Sequence, residues 1–262
     1  VVLNQDASFQ RTARFRGPDL DSATAAELVA IAARLNNALK RLGSGWALFV
    51  EAERRETADY PTSVFPEGLS WLIDEERRAG FEEAGSNFES VYHQTLLWQP
   101  PEDARARAGR LLYENAVRQG VDWRERLAGF QAETQRLYGL LEGVMPEMGW
   151  LDSAETLTYL HGTISTRRHP VRVPEVPCYL DALLADSRVG TGVAPTLGGE
   201  HLRVLSVKGF PTRTWPDLLD DLNRLGFAYR WTTRFLGMDK REAETELGRL
   251  RRHWFAKRKS VL

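Results

Sequence analysis

Apolar residues along this chain switch between alternation and a three-to-four-residue recurrence, and the switches mark out strands and helices. Residues 1–4 and 8–16 read as two extended runs around Asn4-Gln5-Asp6-Ala7, a hairpin. Leu28, Ile31, Leu35, Leu39 and Leu42 then share one helical face, with Asp21 or Ser22 as the cap and Gly43 as the stop. Trp46, Leu48 and Val50 alternate with Ala47, Phe49 and Glu51 in a strand with a buried face, and Tyr60-Pro61 and Phe65-Pro66 punctuate the loop after it. A helix rich in Glu and Arg is expected over 69–83 and a strand over 88–98. Helices over 103–119 and 123–144 follow, the second with Leu127, Phe130, Leu137, Leu141 and Val144 on one stripe, stopped by Pro146.

The final third alternates: helix 154–165, strand 202–207, helix 216–225, strand 227–235 and helix from 240 onward, with Pro- and Gly-rich loops over 167–177 and 186–199. Such a succession predicts an α+β fold of antiparallel or mixed sheets, built from split β-α-β (ferredoxin-like) units with inserted helices. Two parts are expected: an N-terminal α+β subdomain with a helical insert over 1–150, and a second over 151–262 that ends in a basic linker helix.

Composition changes this picture little. With 262 residues, 42% of them hydrophobic, eight Trp and eleven Phe, the chain can bury a sizeable core and is not disordered. It contains no apolar run of about 18 residues that would span a bilayer, and its first residues do not read as a secretory signal. The lack of an initiator Met suggests a piece of a longer protein. A single cysteine, Cys178, can form no internal disulfide, fits a reducing cytoplasm and reads as a small buried residue. The net charge of −1 hides a cationic end, because residues 240–262 carry eight bases against three acids. Acids gather in the first turns of that helix and bases in the last, as the helix dipole favours.

Candidate chemistry is sparse. A phosphate cradle needs glycines followed by Lys and Ser or Thr, yet no Gly-Lys pair occurs, and Gly190-Thr191-Gly192 and Gly198-Gly199 lack the lysine. His93, His161, His169, His201 and His253 are scattered without i, i+4 spacing, so no metal ligand is assigned, although His161 and His169 could meet in space. Ser165, with Arg167 and Arg168, has no base at triad spacing. Asp74-Glu75-Glu76 and Glu82-Glu83 lie on an Arg-rich helix and read as a solvated face, and no catalytic residue is assigned. A nucleic-acid reading draws on the basic loop Arg167, Arg168, His169 and Arg172 together with the basic tail. Against it, alternation puts Trp231 on the strand face opposite Arg230 and Arg234.

The segments Phe9-Gln10-Arg11-Thr12-Ala13-Arg14-Phe15-Arg16-Gly17-Pro18-Asp19-Leu20, Leu35-Asn36-Asn37 through Gly45-Trp46, Trp150-Leu151-Asp152, Glu155-Thr156-Leu157-Thr158-Tyr159-Leu160-His161, Tyr179-Leu180-Asp181, His201-Leu202-Arg203-Val204-Leu205, Gly209-Phe210-Pro211, Phe227-Ala228-Tyr229-Arg230-Trp231 and Trp254-Phe255-Ala256-Lys257-Arg258-Lys259 occur in this order. In that order the chain resembles the N-terminal region of the TrbE/CagE/VirB family of conjugation and type IV secretion ATPases. The resemblance implies a docking and regulatory domain that touches inner-membrane and channel subunits and oligomer partners, in the cytoplasm at the inner membrane. ATP and Mg²⁺ are expected only in a P-loop domain further along such a protein, and no cofactor is expected here. Candidate interaction residues are Arg167, Arg168, Arg172, Arg251, Arg252, Trp254, Lys257, Arg258 and Lys259. The alternative is a freestanding nucleic-acid-binding module using the 167–172 loop and the basic terminal helix.

Overall fold

The computed structural model describes all residues except 21, 58–59, 86, 101–122, 177, 207–211, 214–217 and 260–262. In chain order the described elements are β1 (Val2–Leu3), β2 (Phe9–Arg16), α1 (Ala25–Leu39), β3 (Trp46–Thr57), α2 (Gly68–Glu83), β4 (Asn87–Trp98), α3 (Trp123–Glu142), β5 (Glu147–Trp150), α4 (Ser153–Ile164), α5 (Leu180–Leu184), β6 (Val189–Gly190), β7 (Thr196–Leu197), β8 (Glu200–His201), a 3-10 turn (Asp220–Arg224), β9 (Tyr229–Leu236) and α6 (Lys240–Lys259). Helices and antiparallel strand pairs make this an α+β fold. The expected helix over 103–119 lies outside the described residues.

The chain forms two compact units, each discontinuous in sequence: residues 1–52, 91–150 and 231–262 in the first, and 53–90 and 151–230 in the second. The main sheet has the order β1-β2-β4-β3-β9, with β5 also paired to β2. Because β4 lies between β2 and β3, the two strands joined by α1 are not neighbours, which is the split β-α-β arrangement expected from the sequence. One edge of β2 pairs with β4 from Phe9↔Trp98 to Phe15↔Tyr92. Its other edge is shared by β1, opposite Phe9 and Gln10, and β5, opposite residues 13–16.

In the first unit Ala38, Leu48, Leu96, Leu137 and Leu141 form the core, flanked by Leu35, Leu39, Leu42, Trp46, Val50, Met148 and Trp150. Leu35, Leu39, Leu42, Leu137 and Leu141 of this group come from the two helical stripes predicted from periodicity. Phe130 of α3 is buried among the rings of Phe9, Trp46 and Trp98. Arg11 lies over the Trp150 ring and donates to Thr134 Oγ1, so the polar face of β2 is tied to α3 and β5. Gly45 adopts a φ of 87°, and a Cβ there would approach Gln99 O to 2.7 Å. Only glycine gives the turn into β3 both this conformation and this clearance.

Several expectations need correction. Helix α1 is capped by Thr24 in a reciprocal box with Glu27, whereas Ser22 bonds to Asp19 and Asp21 lies outside the described residues. Thr24-x-x-Glu27 supplies both halves of a capping box, which a lone Ser does not. The β3 strand runs on to Thr57, and the four-residue strand β5 was not anticipated. Residues 202–206 are not a strand, and Val207 lies outside the described residues; Val204 and Leu205 are exposed. Alternation specifies a strand only where an edge is available to pair with it. The helix expected over 216–225 is described only as the 3-10 turn Asp220–Arg224. Cys178 is exposed, because it precedes the short helix α5 in a loop and not on an apolar face. Asp74 is not a freely solvated acid: it accepts from the Tyr60 hydroxyl at 2.9 Å and lies 3.8 Å from Arg78.

Candidate functional site at the end of α4

Helix α4 begins with a capping box in which Asp152 accepts from the Glu155 amide and Glu155 accepts from the Asp152 amide. Its other end organises the second unit. After Ile164 the chain doubles back: Ser165 Oγ accepts from the Arg167 amide at 3.0 Å, and Thr158 Oγ1 accepts from the Val171 amide at 2.9 Å. These two bonds lay the 165–171 loop along the helix, with His169 beside His161 at a ring-centroid separation of 4.4 Å. His161 is buried, and its Nε2 is 3.0 Å from Asp186 Oδ2, from the segment that follows α5. Hydrogen bonds from Ser165, Ser187 and His161 together hold the Asp186 carboxyl well below the usual carboxylate range, despite some opposing desolvation. One nitrogen from each imidazole and one Asp186 oxygen all lie within 4.8 Å of one another.

The same loop feeds a second cluster. Glu53 of β3 is buried, and its Oε1 accepts from Arg168 Nη2 at 2.6 Å and lies 3.1 Å from Arg230 Nη2. Its Oε2 accepts from Arg55 at 2.6 Å. Burial pushes this carboxyl up, but the Arg55 hydrogen bond and the charges of Arg230, Arg168 and Arg55 outweigh it and hold the group below its ordinary value. Arg168 also donates through Nη1 to the carbonyls of Gly162 and Ser165, so it joins the helix end to Glu53.

Of the interaction residues expected from sequence, Arg167, Arg168 and Arg172 are thus on one loop. Arg168 is engaged by Glu53 and two carbonyls, and Arg167 and Arg172 are exposed. Arg251, Arg252 and Trp254 are exposed on α6, and the side chains of Lys257, Arg258 and Lys259 lie outside the described ones. Glu53 and Asp186 had no sequence signal as single acids. Glu53 lies two residues from Arg55 on β3, and only the structure shows that it is buried.

The described residues define an α+β domain that ends in a basic helix. Residues 1–106 match the family described as type IV secretion system ATPase VirB4/TrbE, N-terminal domain. The chain is 33% identical to the conjugal transfer protein TrbE of Rhizobium radiobacter over 97% of its own length and 33% of the relative's. In Sinorhizobium fredii two relatives carry the name of probable conjugal transfer protein TrbE, as a first and a second portion. The first portion is 39% identical, over 42% of this chain and 76% of that one. The second is 34% identical, over 38% of this chain and 15% of its own length. The chain belongs to the VirB4/TrbE family of type IV secretion system ATPases and corresponds to its N-terminal region. It spans about a third of the length of the Rhizobium radiobacter relative. Among the described residues no helix is long and apolar enough to cross a membrane.

Proposed function

We propose that this chain is the docking and regulatory domain of a conjugation ATPase, contacting an inner-membrane channel subunit on the cytoplasmic side. In this reading ATP and Mg²⁺ are bound by the rest of a full-length family protein, and these residues alone turn over no nucleotide. The observation that carries it is α6. In the first unit its first turn is fastened to the turn before β3, since Ser44 donates to Glu242 and accepts from the Asp239 amide at 3.0 Å. Beyond that anchor Leu247, Leu250 and Trp254 fall at i, i+3 and i+7 and stand exposed at 65%, 54% and 58%, with Phe255 beside them. An apolar stripe on a helix so basic overall suits a protein surface that is apolar with acidic margins at the membrane.

The nucleic-acid alternative is weaker, because one of its loop guanidiniums, Arg168, is committed to Glu53. The test places Leu247→Asp with Leu250→Asp in the full-length protein and measures co-purification with the inner-membrane subunits from solubilised membranes. Loss of co-purification with unchanged circular dichroism is expected. Retained co-purification would remove the docking role from α6, and salt-sensitive DNA binding by the chain would move the assignment to the alternative.

A further inference from the structure

We propose that His161, His169 and Asp186 form a binding site for one divalent transition metal ion, with zinc as the best fit. The ion would cross-link helix α4, the returning 165–171 loop and the segment after α5. Two imidazole nitrogens and one carboxylate oxygen form a donor set that suits zinc and neighbouring first-row ions, with water completing the tetrahedron. Ligands at about 2.0–2.2 Å in tetrahedral geometry lie about 3.4 Å apart. The His161–Asp186 separation of 3.0 Å is close to that spacing, and the whole triad lies within 4.8 Å, so only a small inward shift of the His169 ring is needed.

Three features argue that the triad is built and not accidental. His161 is fixed by burial, so one ligand is preorganised. Asp186 is oriented by the Ser187 hydroxyl at 2.8 Å on its other oxygen, the outer-shell hydrogen bond that ligating carboxylates commonly make. The loop that delivers His169 is stapled at both sides of that residue, by the Ser165 and Thr158 hydroxyls. The two imidazole rings, 4.4 Å apart, are close enough for one cation to be ligated by both. The ion's role here is structural: it would lock the loop that also carries Arg168 into contact with Glu53.

The experiment titrates the purified chain, freed of metal, with Zn²⁺ by calorimetry and with Co²⁺ by visible absorption. His169→Gln and Asp186→Asn serve as variants, because both positions are exposed and tolerate substitution better than buried His161. One ion per chain is expected, with an intense tetrahedral Co²⁺ spectrum. Each variant should lose more than about 100-fold in affinity, beyond the 10–100-fold typical of a lost outer-shell partner. Binding that survives His169→Gln unchanged, a Co²⁺ spectrum like that of the hydrated ion, or no stoichiometric binding would each overturn the site. Should both variants misfold by circular dichroism, protection of His169 from diethyl pyrocarbonate by Zn²⁺ in the unaltered chain decides the matter, and absence of protection refutes it.

Discussion

Substituting Glu53→Gln keeps the shape of a buried side chain and removes only its charge, leaving three guanidiniums around a neutral amide. Breaking a buried ion pair by removing one partner costs about 3–5 kcal/mol. Here Arg55, Arg168 and Arg230 keep 41%, 48% and 23% of their side-chain surface in water, so part of the lost interaction is recovered by solvation. The expected cost is therefore about 2–3 kcal/mol. At about 2–4 °C per kcal/mol for chains approaching this size, the melting temperature should fall by roughly 5–10 °C at pH 7. Acid supplies an independent check. The folded-state pKa of Glu53 is depressed below its ordinary 4.5, so the unfolded state binds the proton more readily. Its contribution is fully present above 4.5 and is lost as pH falls through the depressed value. The gap in melting temperature between the parent and Glu53→Gln should accordingly stay constant from about pH 7 to about pH 5 and close in stronger acid. A Glu53→Gln chain within about 0.5 kcal/mol of the parent at pH 7 would refute the claim that this carboxylate organises the arginines.

Phe130→Ala should cost about 3–5 kcal/mol in urea unfolding followed by tryptophan fluorescence, because the ring is buried among Phe9, Trp46 and Trp98; a loss under about 1.5 kcal/mol would mean those rings close over the cavity. Gly237→Ala should cost at least about 1–3 kcal/mol, since a Cβ there meets the Gly43 carbonyl and comes within 2.8 Å of that of Leu42, backbone that cannot turn aside; an unchanged melting temperature would show that the β9 end is not pinned as described.

What the sequence disclosed follows from where periodicity has a single physical meaning. The α1 and α3 stripes point at a core in only one way, and Leu35, Leu39, Leu137 and Leu141 are found there. Strands β2, β4 and β9 were legible because each has neighbours in the sheet that accept it. The run at 202–206 has the same alternation but lacks such a neighbour among the described residues, so its pattern misled. Site residues were less legible for a different reason. Arg168 looked like a solvent-facing cation because no local feature of Arg167-Arg168-His169 shows that Glu53, 115 positions earlier, will receive it. His161 and His169 meet only because two hydroxyls fold the loop back, which spacing rules for a single helix do not capture.

The dependence of both clusters on the α4 end can be isolated at one atom. Gly162 is helical, and a Cβ added to it would come within 2.7 Å of Arg168 Nη1, the nitrogen that donates to the carbonyl of Gly162. Alanine should improve the helix by about 1 kcal/mol through lower backbone entropy in the unfolded chain. It should also push the Arg168 guanidinium off Glu53, forfeiting a charge-assisted bond worth about 1.5–3 kcal/mol. The second effect is the larger, so Gly162→Ala should lower stability by about 1 kcal/mol. With Arg168→Ala already present the clash and the bond are both gone, and the same glycine substitution should raise stability by about 1 kcal/mol. The reversal of sign between the two backgrounds, read from paired urea denaturation curves, separates a clamp from simple surface packing. Equal effects in both would mean that Arg168 yields without cost, and the link between the loop and Glu53 would then carry no stability.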